Sequence, residues 1–346
     1  MFRRNSAHTP ATTTTDPQNI RLVKNSRVNY LAMPEVRIPS FAKINLRLDI
    51  VGKRADNYHE LRTIFQTISL HDDLRLRPSR HPKISLTIHG NSRLAREPIE
   101  KNLVYRAVDA LRREFKIRSG VDIDLHKKIP AGGGLGGGSS NAAAALLGYL
   151  QLTRKRLPLE RLIEIATPLG ADVPFFLFGG RALGVNKGDE IYPLADIKKH
   201  AILVVAPQGI HVPTPEAFRW VNAPSLPSSQ KPSQKAAASP QLTNSRSNSK
   251  LSRFCALCWS AQLAGLSNDF EAAVFRRHPR LASIKRDLLR AGAAEAMLAG
   301  SGSAVFAVFP SPALARRAAV GFSSDQTFVC ETISRDRYKR LVKTAF

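Results

Sequence analysis

The chain has 346 residues, 43% of them apolar, and carries 52 Lys and Arg against 27 Asp and Glu for a formal charge of +25. That length allows two ordinary domains with full cores, while no run approaches the ~20 uninterrupted apolar residues of a membrane-spanning helix and three cysteines do not build a disulfide framework. The charge favours anionic ligands, but part of it is peripheral, since residues 1–32 carry a net +4 and residues 222–253 a net +5.

Residues 1–32 are polar and threonine-rich and have no apolar h-region, so they do not read as a secretory signal. An acid-poor, arginine-bearing segment admits a disordered tail, an extension ahead of a start at Met33, or a transit peptide. Residues 1–35 are taken as a disordered N-terminal extension. Beyond it, Ile44, Leu46, Leu48 and Ile50 alternate with Lys43, Asn45, Arg47 and Asp49, which predicts a strand with Lys43 and Asn45 opposite the apolar face. Lys53-Arg-Ala-Asp-Asn-Tyr-His59 reads as a turn in which Asn57 tolerates the left-handed region. Strands follow around Leu61–Leu70 and at Ile84–Ile88, then a helix over 101–117 with Leu103, Ala107, Leu111 and Phe115 on one side. Val121, Ile123 and Leu125 alternate with polar residues as a further strand.

That strand leads into Pro130-Ala-Gly-Gly-Gly-Leu-Gly-Gly-Gly-Ser-Ser-Asn-Ala142, with six glycines in seven positions. Such a backbone approaches ligands closely, at an entropic cost hard to explain in a mere connection. Ser139, Ser140 and Asn141 are preferred N-cap types, and Ala142–Leu147 are good helix formers. Strand, glycine loop and helix N-terminus offer unpaired N–H groups to phosphate. A Walker A loop fails for want of Gly-Lys-[Ser/Thr], and Gly132, Gly134 and Gly137 match a dinucleotide fingerprint without an acid in the expected strand context.

A helix is expected over Leu159–Ala166, followed by Leu169-Gly-Ala-Asp-Val-Pro-Phe-Phe176, whose Asp172 taken alone reads as a cap. Ile202–Val205 reads as a buried strand, and Pro213-Thr-Pro-Glu-Ala-Phe-Arg-Trp220 as a helix start. Residues 222–253 are rich in Ser, Pro, Lys and Gln and read as a disordered insertion. Cys255 and Cys258 lack the further ligands zinc requires, so helix-borne thiols of a reduced protein are expected. Helices near Phe270–Arg277 and Pro279–Ala291, two strands around a Gly-Ser loop in Glu295–Phe309, a helix at Pro312–Val320 and a strand at Phe328–Ile333 precede a basic C-terminal end. This order suggests an α+β unit, an antiparallel sheet with helices on one side.

Ala-Lys-Ile-Asn at 42–45, the loop at 130–142, Gly-Ala-Asp-Val-Pro at 170–174 and Ala-Gly-Ser-Gly-Ser at 299–303 together resemble the signature set of the GHMP kinase superfamily. The Arg-Ala-Asp-Asn-Tyr-His turn makes the chain most similar to the branch that phosphorylates a cytidine-diphospho-methylerythritol in the non-mevalonate isoprenoid pathway. The similarity covers about 36–218 and 267–333. It implies an N-terminal ATP-binding domain over 36–200, like the second domain of ribosomal protein S5, and a ferredoxin-like C-terminal domain over 201–346 containing the insertion.

By that resemblance Asp172 is the general base for the 2-hydroxyl, and Lys43 its partner. Pro130, Ala131, Gly132, Gly133, Gly134, Leu135, Gly136, Gly137, Gly138, Ser139 and Ser140 bind the ATP phosphates. Tyr58 and Phe218 sandwich the cytosine, His59 reads its polar edge, Asn45 contacts substrate near the hydroxyl, and Thr214 shapes the cytidine pocket. ATP and Mg²⁺ are the implied cofactors, the metal ligands unassigned. Pathway context implies a cytoplasmic protein. Two departures stand out: Asn57 where the turn usually has glycine, and the insertion after Trp220. Two alternatives remain, another GHMP kinase of small alcohols, and a basic S5-like nucleic-acid-binding protein. The latter lacks an RNP-type aromatic run, a zinc knuckle and a helix-turn-helix pattern, so weak non-specific polyanion binding is the most expected of it.

Overall fold

A computed structural model describes residues 35–225 and 265–343, which form one compact unit. The N-terminal tail to residue 34, the Cys255/Cys258 pair and the insertion from residue 226 onward lie outside the described residues. The insertion's first residues are folded: Pro224 accepts a backbone hydrogen bond from Lys53 and Ser225 bridges the same residue.

The first sheet is built on two long antiparallel strands, β1 (Val36–Lys53) and β2 (His59–Ser79). Next come β3 (Ile84–His89), the short helix α1 (Ser92–Ala95), α2 (Leu103–Glu114) and β4 (Gly120–His126). The glycine loop enters α3 (Gly137–Thr153), followed by α4 (Leu159–Ala166), the single turn α5 (Phe175–Phe178) and the hairpin β5 (Arg181–Val185) and β6 (Glu190–Pro193). One end of β2 pairs with β4 and the other with β5. The second half contributes β7 (Ala201–Ala206), α6 (Thr214–Trp220), the two-residue β8 (Ser267–Asn268) beside β1, α7 (Glu271–Arg277), α8 (Pro279–Arg290), β9 (Glu295–Leu298), β10 (Val305–Phe309), α9 (Pro312–Ala319), β11 (Gln326–Glu331) and α10 (Arg335–Val342). The second sheet runs β11-β7-β10-β9, all antiparallel.

Three apolar clusters hold these layers in the order helices, sheet, sheet, helices. Leu76, Ile123 and Leu125 pack against α2 and the alanine face of α3. Ile44, Leu46 and Ile68 of the first sheet meet Ile202, Val204 and Phe306 of the second. Leu203, Val205 and Ala307 turn the other way, onto α7, α8 and α9. The second sheet therefore carries helices on one side, as expected, because its other face is taken by the first sheet. The strand β7 is apolar throughout for the same reason: both of its faces are covered. No helix among the described residues is long and apolar enough to cross a membrane.

Two expectations require correction. The last strand ends at Glu331, not Ile333, because the chain leaves the second sheet there: Thr332 bridges Ile68, and Ile333 donates to Thr67 O of β2. The basic C-terminal end is the helix α10, capped by Ser334, whose Tyr338 and Val342 enter the core around α3. Cys330 lies on β11, within the expected strand, and burial pushes its thiol up to about 12.

Candidate active site

Behind the glycine loop lies a polar network with almost no access to water. Asp72 on β2 is 0% exposed, and its Oδ1 accepts from the backbone N–H groups of Lys128 (2.6 Å) and Ile129 (2.8 Å). Its Oδ2 accepts from Asn141 Nδ2 at 2.8 Å and from the Lys127 ammonium. Lys127 also donates to Asn141 Oδ1 (3.0 Å), Asn141 Nδ2 to Ser40 Oγ (2.7 Å), and Ser40 Oγ to Ser140 Oγ (2.9 Å). A carboxylate shut off from solvent is tolerable only with such a set of donors. The network also moves the start of α3. Asn141 and Ser140 are recruited inward, the helix begins at Gly137, and Gly136 serves as N-cap at φ +70°, so none of the three expected cap residues caps.

The outer side of the loop is clamped by the late Gly-Ser segment. Ser303 N–H donates to Gly132 O and Ala304 N–H to Gly133 O, both at 3.2 Å, while Lys43 N–H on β1 donates to Leu135 O at 3.0 Å. Gly134 sits at φ +75°, and a Cβ there would lie 1.8 Å from Ala299 O. Glycine is required at this position on both counts.

Lys43 Nζ lies 3.4 Å from Asp172 Oδ2, 2.8 Å from Asn45 Oδ1 and 5.5 Å from the Phe65 ring centre. Both Lys43 and Asn45 are buried rather than on a solvated strand face. Their placement depends on a register shift between Phe41 and Ala42. In a regular strand Ser40 and Lys43 would point to opposite faces. Here Ser40 meets α3 and Lys43 packs beside Gly136 at the head of that helix. Asn45 Nδ2 donates to Thr63 Oγ1 (2.7 Å), and Thr63 donates its single proton to Arg47 O (2.7 Å). Asp172 does not cap a helix: it stands in the turn before α5, its side chain 30% exposed, with Val173 N–H on Gly170 O.

At the far end, Asn57 has φ +66°, as expected for the turn between β1 and β2. Tyr58 is 59% exposed, with Lys187 Nζ 4.7 Å from its ring centre. His59 stacks on Phe218 (4.7 Å between ring centres, 17° between planes), leaving no room for a third ring between those two. Burial first, then Lys53, hold the His59 imidazole below its ordinary pKa. Phe218 packs edge-on against Phe270, and Thr214 at the start of α6 shares a 2.9 Å hydrogen bond with Ser301 of the late loop.

These parts border one cleft of about 590 Å³, lined by Lys43, Asn45, Pro130–Ser139, Asp172, Thr214 and Phe218. Ser140 lies inside the polar network, and Tyr58 and His59 stand behind Lys187 and Phe218 at the rim. Sequence reasoning passed over Asp72, Lys127, Thr63 and Lys187. Asp72 and Lys127 sit in strand-like alternation that marks only a solvated face. Thr63 resembles any strand threonine, and Lys187 one charge among 52 Lys and Arg.

Residues 102–180 match the model of the GHMP kinases N terminal domain, and residues 256–325 that of the GHMP kinases C terminal region. A 4-diphosphocytidyl-2-C-methyl-D-erythritol kinase of Solibacter usitatus is 43% identical over 88% of this chain and 91% of its own. The enzyme of the same name from Citrifermentans bemidjiense is 39% identical over 83% of this chain and 94% of its own. A crystal structure of 4-(cytidine 5'-diphospho)-2C-methyl-D-erythritol kinase, 31% identical, superposes with a TM-score of 0.65 over 86% of this chain and 99% of that one. Homoserine kinase from Cytophaga hutchinsonii shares the fold at 20% identity and a TM-score of 0.58, over 87% of this chain and 95% of its own. The chain belongs to the GHMP kinase family, among the 4-diphosphocytidyl-2-C-methyl-D-erythritol kinases.

Proposed function

We propose that the protein transfers the γ-phosphoryl group of ATP to the 2-hydroxyl of 4-diphosphocytidyl-2-C-methyl-D-erythritol. The observation that carries this reading is the Lys43–Asp172 pair, 3.4 Å apart and joined to the glycine loop through Lys43 N–H and Leu135 O. Phosphoryl transfer asks little covalent chemistry of a protein and much positioning. Asp172 takes the hydroxyl proton, and Lys43, held by Asn45, offsets charge growing on the attacking oxygen. The first N–H groups of α3 have no acceptors within the helix and point with its positive end toward the incoming phosphates. Mg²⁺ borne on ATP would supply charge neutralisation. Glu97 and the Ser139 hydroxyl in the cleft wall are the groups that would hold it, with water completing its shell. Tyr58 and Phe218 take the cytosine once His59 leaves Phe218 for the base edge, and Thr214 closes the pocket against Ser301.

A substrate panel tests the assignment: the cytidine diphospho-substrate, homoserine, mevalonate and a simple sugar, each with ATP. Turnover confined to the cytidine compound, lost in Asp172→Ala with the fold intact by circular dichroism, is expected. Turnover of another alcohol in its place, or undiminished activity of Asp172→Ala, would overturn it.

A further inference from the structure

The cleft holds a cation that the signature motifs leave unused. Lys187 sits at the tip of the β5–β6 hairpin and lines the cleft with Gly188. Of the other lining lysines, Lys43 faces Asp172, Lys127 is bound to Asp72, and Lys101 stands beside Asn102 and Leu103, the latter against Gly138 at the head of α3. Among the described residues Lys187 forms no ion pair. The nearby Asp56 is occupied by Arg54 and by the Tyr58 N–H. Lys187 therefore borders the cleft with a charge that only Asp56 partly offsets, and such a cation can take an anion.

Contacts fix its position along the cleft wall. The Phe65 ring lies 5.5 Å from Lys43 Nζ, and a Cβ on Gly188 would touch the far edge of the same ring at 3.8 Å. Lys187 directly precedes Gly188 in the chain, and its ammonium lies over Tyr58. The order is therefore reacting pair, Phe65, Lys187, Tyr58. The hairpin tip is also tied to the turn that carries Tyr58. The Arg54 guanidinium donates to Asp56, Glu60 and Asn186, and Asn186 O accepts from Leu61 N–H at 2.7 Å. Lys187 and Tyr58 are thus held as one unit.

We infer that Lys187 is the diphosphate-recognition residue of this site, its ammonium neutralising the diphosphate that joins a base at Tyr58 to a hydroxyl at Asp172. This rests on the cytidine reading above. It makes Lys187 a specificity determinant, because a substrate lacking the diphosphate leaves the cation unsatisfied. The same chemistry could engage the ATP phosphates instead, and kinetics separate the two sources.

The test uses the full chain and Lys187→Met, with thermal unfolding confirming that the variant folds. For the variant, kcat/KM toward the cytidine diphospho-substrate is expected to fall about ten-fold, mainly through KM, while the KM for ATP stays within about two-fold. Calorimetric titration with CDP and with cytidine gives a second readout. Wild type prefers CDP, Lys187→Met loses that preference, and Lys187→Arg keeps most of it. An unchanged CDP-to-cytidine ratio in Lys187→Met, or a rise in the KM for ATP alone, overturns the assignment while leaving the cytidine reading standing. A wild-type protein that binds neither CDP nor cytidine overturns both.

Discussion

Two glycines of the same loop are expected to respond oppositely to an added methyl group. At Gly134 the backbone has φ +75°, which costs an L-residue about 1–2 kcal/mol. The new Cβ would lie 1.8 Å from Ala299 O and 3.1 Å from Gly302 N, both backbone atoms, so no side chain can swing aside. Restoring ordinary contact displaces the Ala299 carbonyl by more than about 1 Å. That strains the Gly302 N–H to Ala299 O bond (2.8 Å) and the Ser303 and Ala304 bonds to the loop, at about 1 kcal/mol for each bond lost. Gly134→Ala should therefore cost up to about 4–5 kcal/mol and raise the KM for ATP. At Gly138, inside the first turn of α3, a Cβ meets only Leu103 Cδ1 at 3.8 Å, and helix propensity gains about 0.5–1 kcal/mol.

Thermal unfolding of the two single variants decides the matter. At about 2 °C per kcal/mol for a chain of this size, Gly134→Ala should lower Tm by several degrees and Gly138→Ala should raise it slightly. Equal shifts of the same sign, or a Gly134→Ala variant with wild-type Tm and wild-type KM for ATP, would refute the argument that the late loop packs on Gly134.

Three further outcomes are expected. Asp72→Asn sets an amide donor against backbone N–H groups and strands Lys127, so a loss of about 3 kcal/mol should appear in denaturant unfolding, since breaking a buried ion pair is far costlier than breaking an exposed one. Thr63→Val removes the hydroxyl that accepts from Asn45 and donates to Arg47 O; kcat should drop about ten-fold with the KM for ATP unchanged, and Thr63→Ser should restore it. His59 has a folded pKa below its unfolded value near 6.5, so between the two the unfolded chain binds more protons and stability rises with pH. Wild type should lose Tm on acidification below about pH 6.5 more steeply than His59→Gln, the comparison cancelling the like-signed contribution of His200.

The residues proposed to react were legible in the sequence because they stand in short motifs whose side-chain types have few other uses together: lysine and asparagine two apart on a strand, an aspartate in a Gly/Pro bend, a glycine run before a helix. Their three-dimensional relation was not legible in the same way. The shift between Phe41 and Ala42 that turns Lys43 toward α3 leaves no mark in the alternation, since a bulge displaces register without changing residue types. The start of α3 was misplaced because Asn141 answers to Asp72, 69 positions away, and a distant carboxylate outweighs a local capping preference. The helix α10 escaped notice because its own apolar face is small. It is held by Tyr338, whose hydroxyl reaches Phe176 O and whose ring meets Phe41 across the fold.

These long-range ties share one strand. β1 pairs along its length with β2, takes β8 on its other edge, lies under α3 and rests on the second sheet through Ile44 and Leu46. Lys43 and Asn45 sit where these neighbours converge, and Gly300 of the late loop comes so close that a Cβ would lie 3.3 Å from both Lys43 Nζ and Asn45 Oδ1. Lys43, of the proposed reacting pair, is thus positioned by both sheets together. Its geometry is held mainly by main-chain bonds from Lys43, Ser303 and Ala304 to the glycine loop. Main-chain bonds survive most side-chain changes, whereas close backbone approach survives none that adds a Cβ. Tolerance in the loops should therefore be set by how near the backbones run rather than by which side chains they carry.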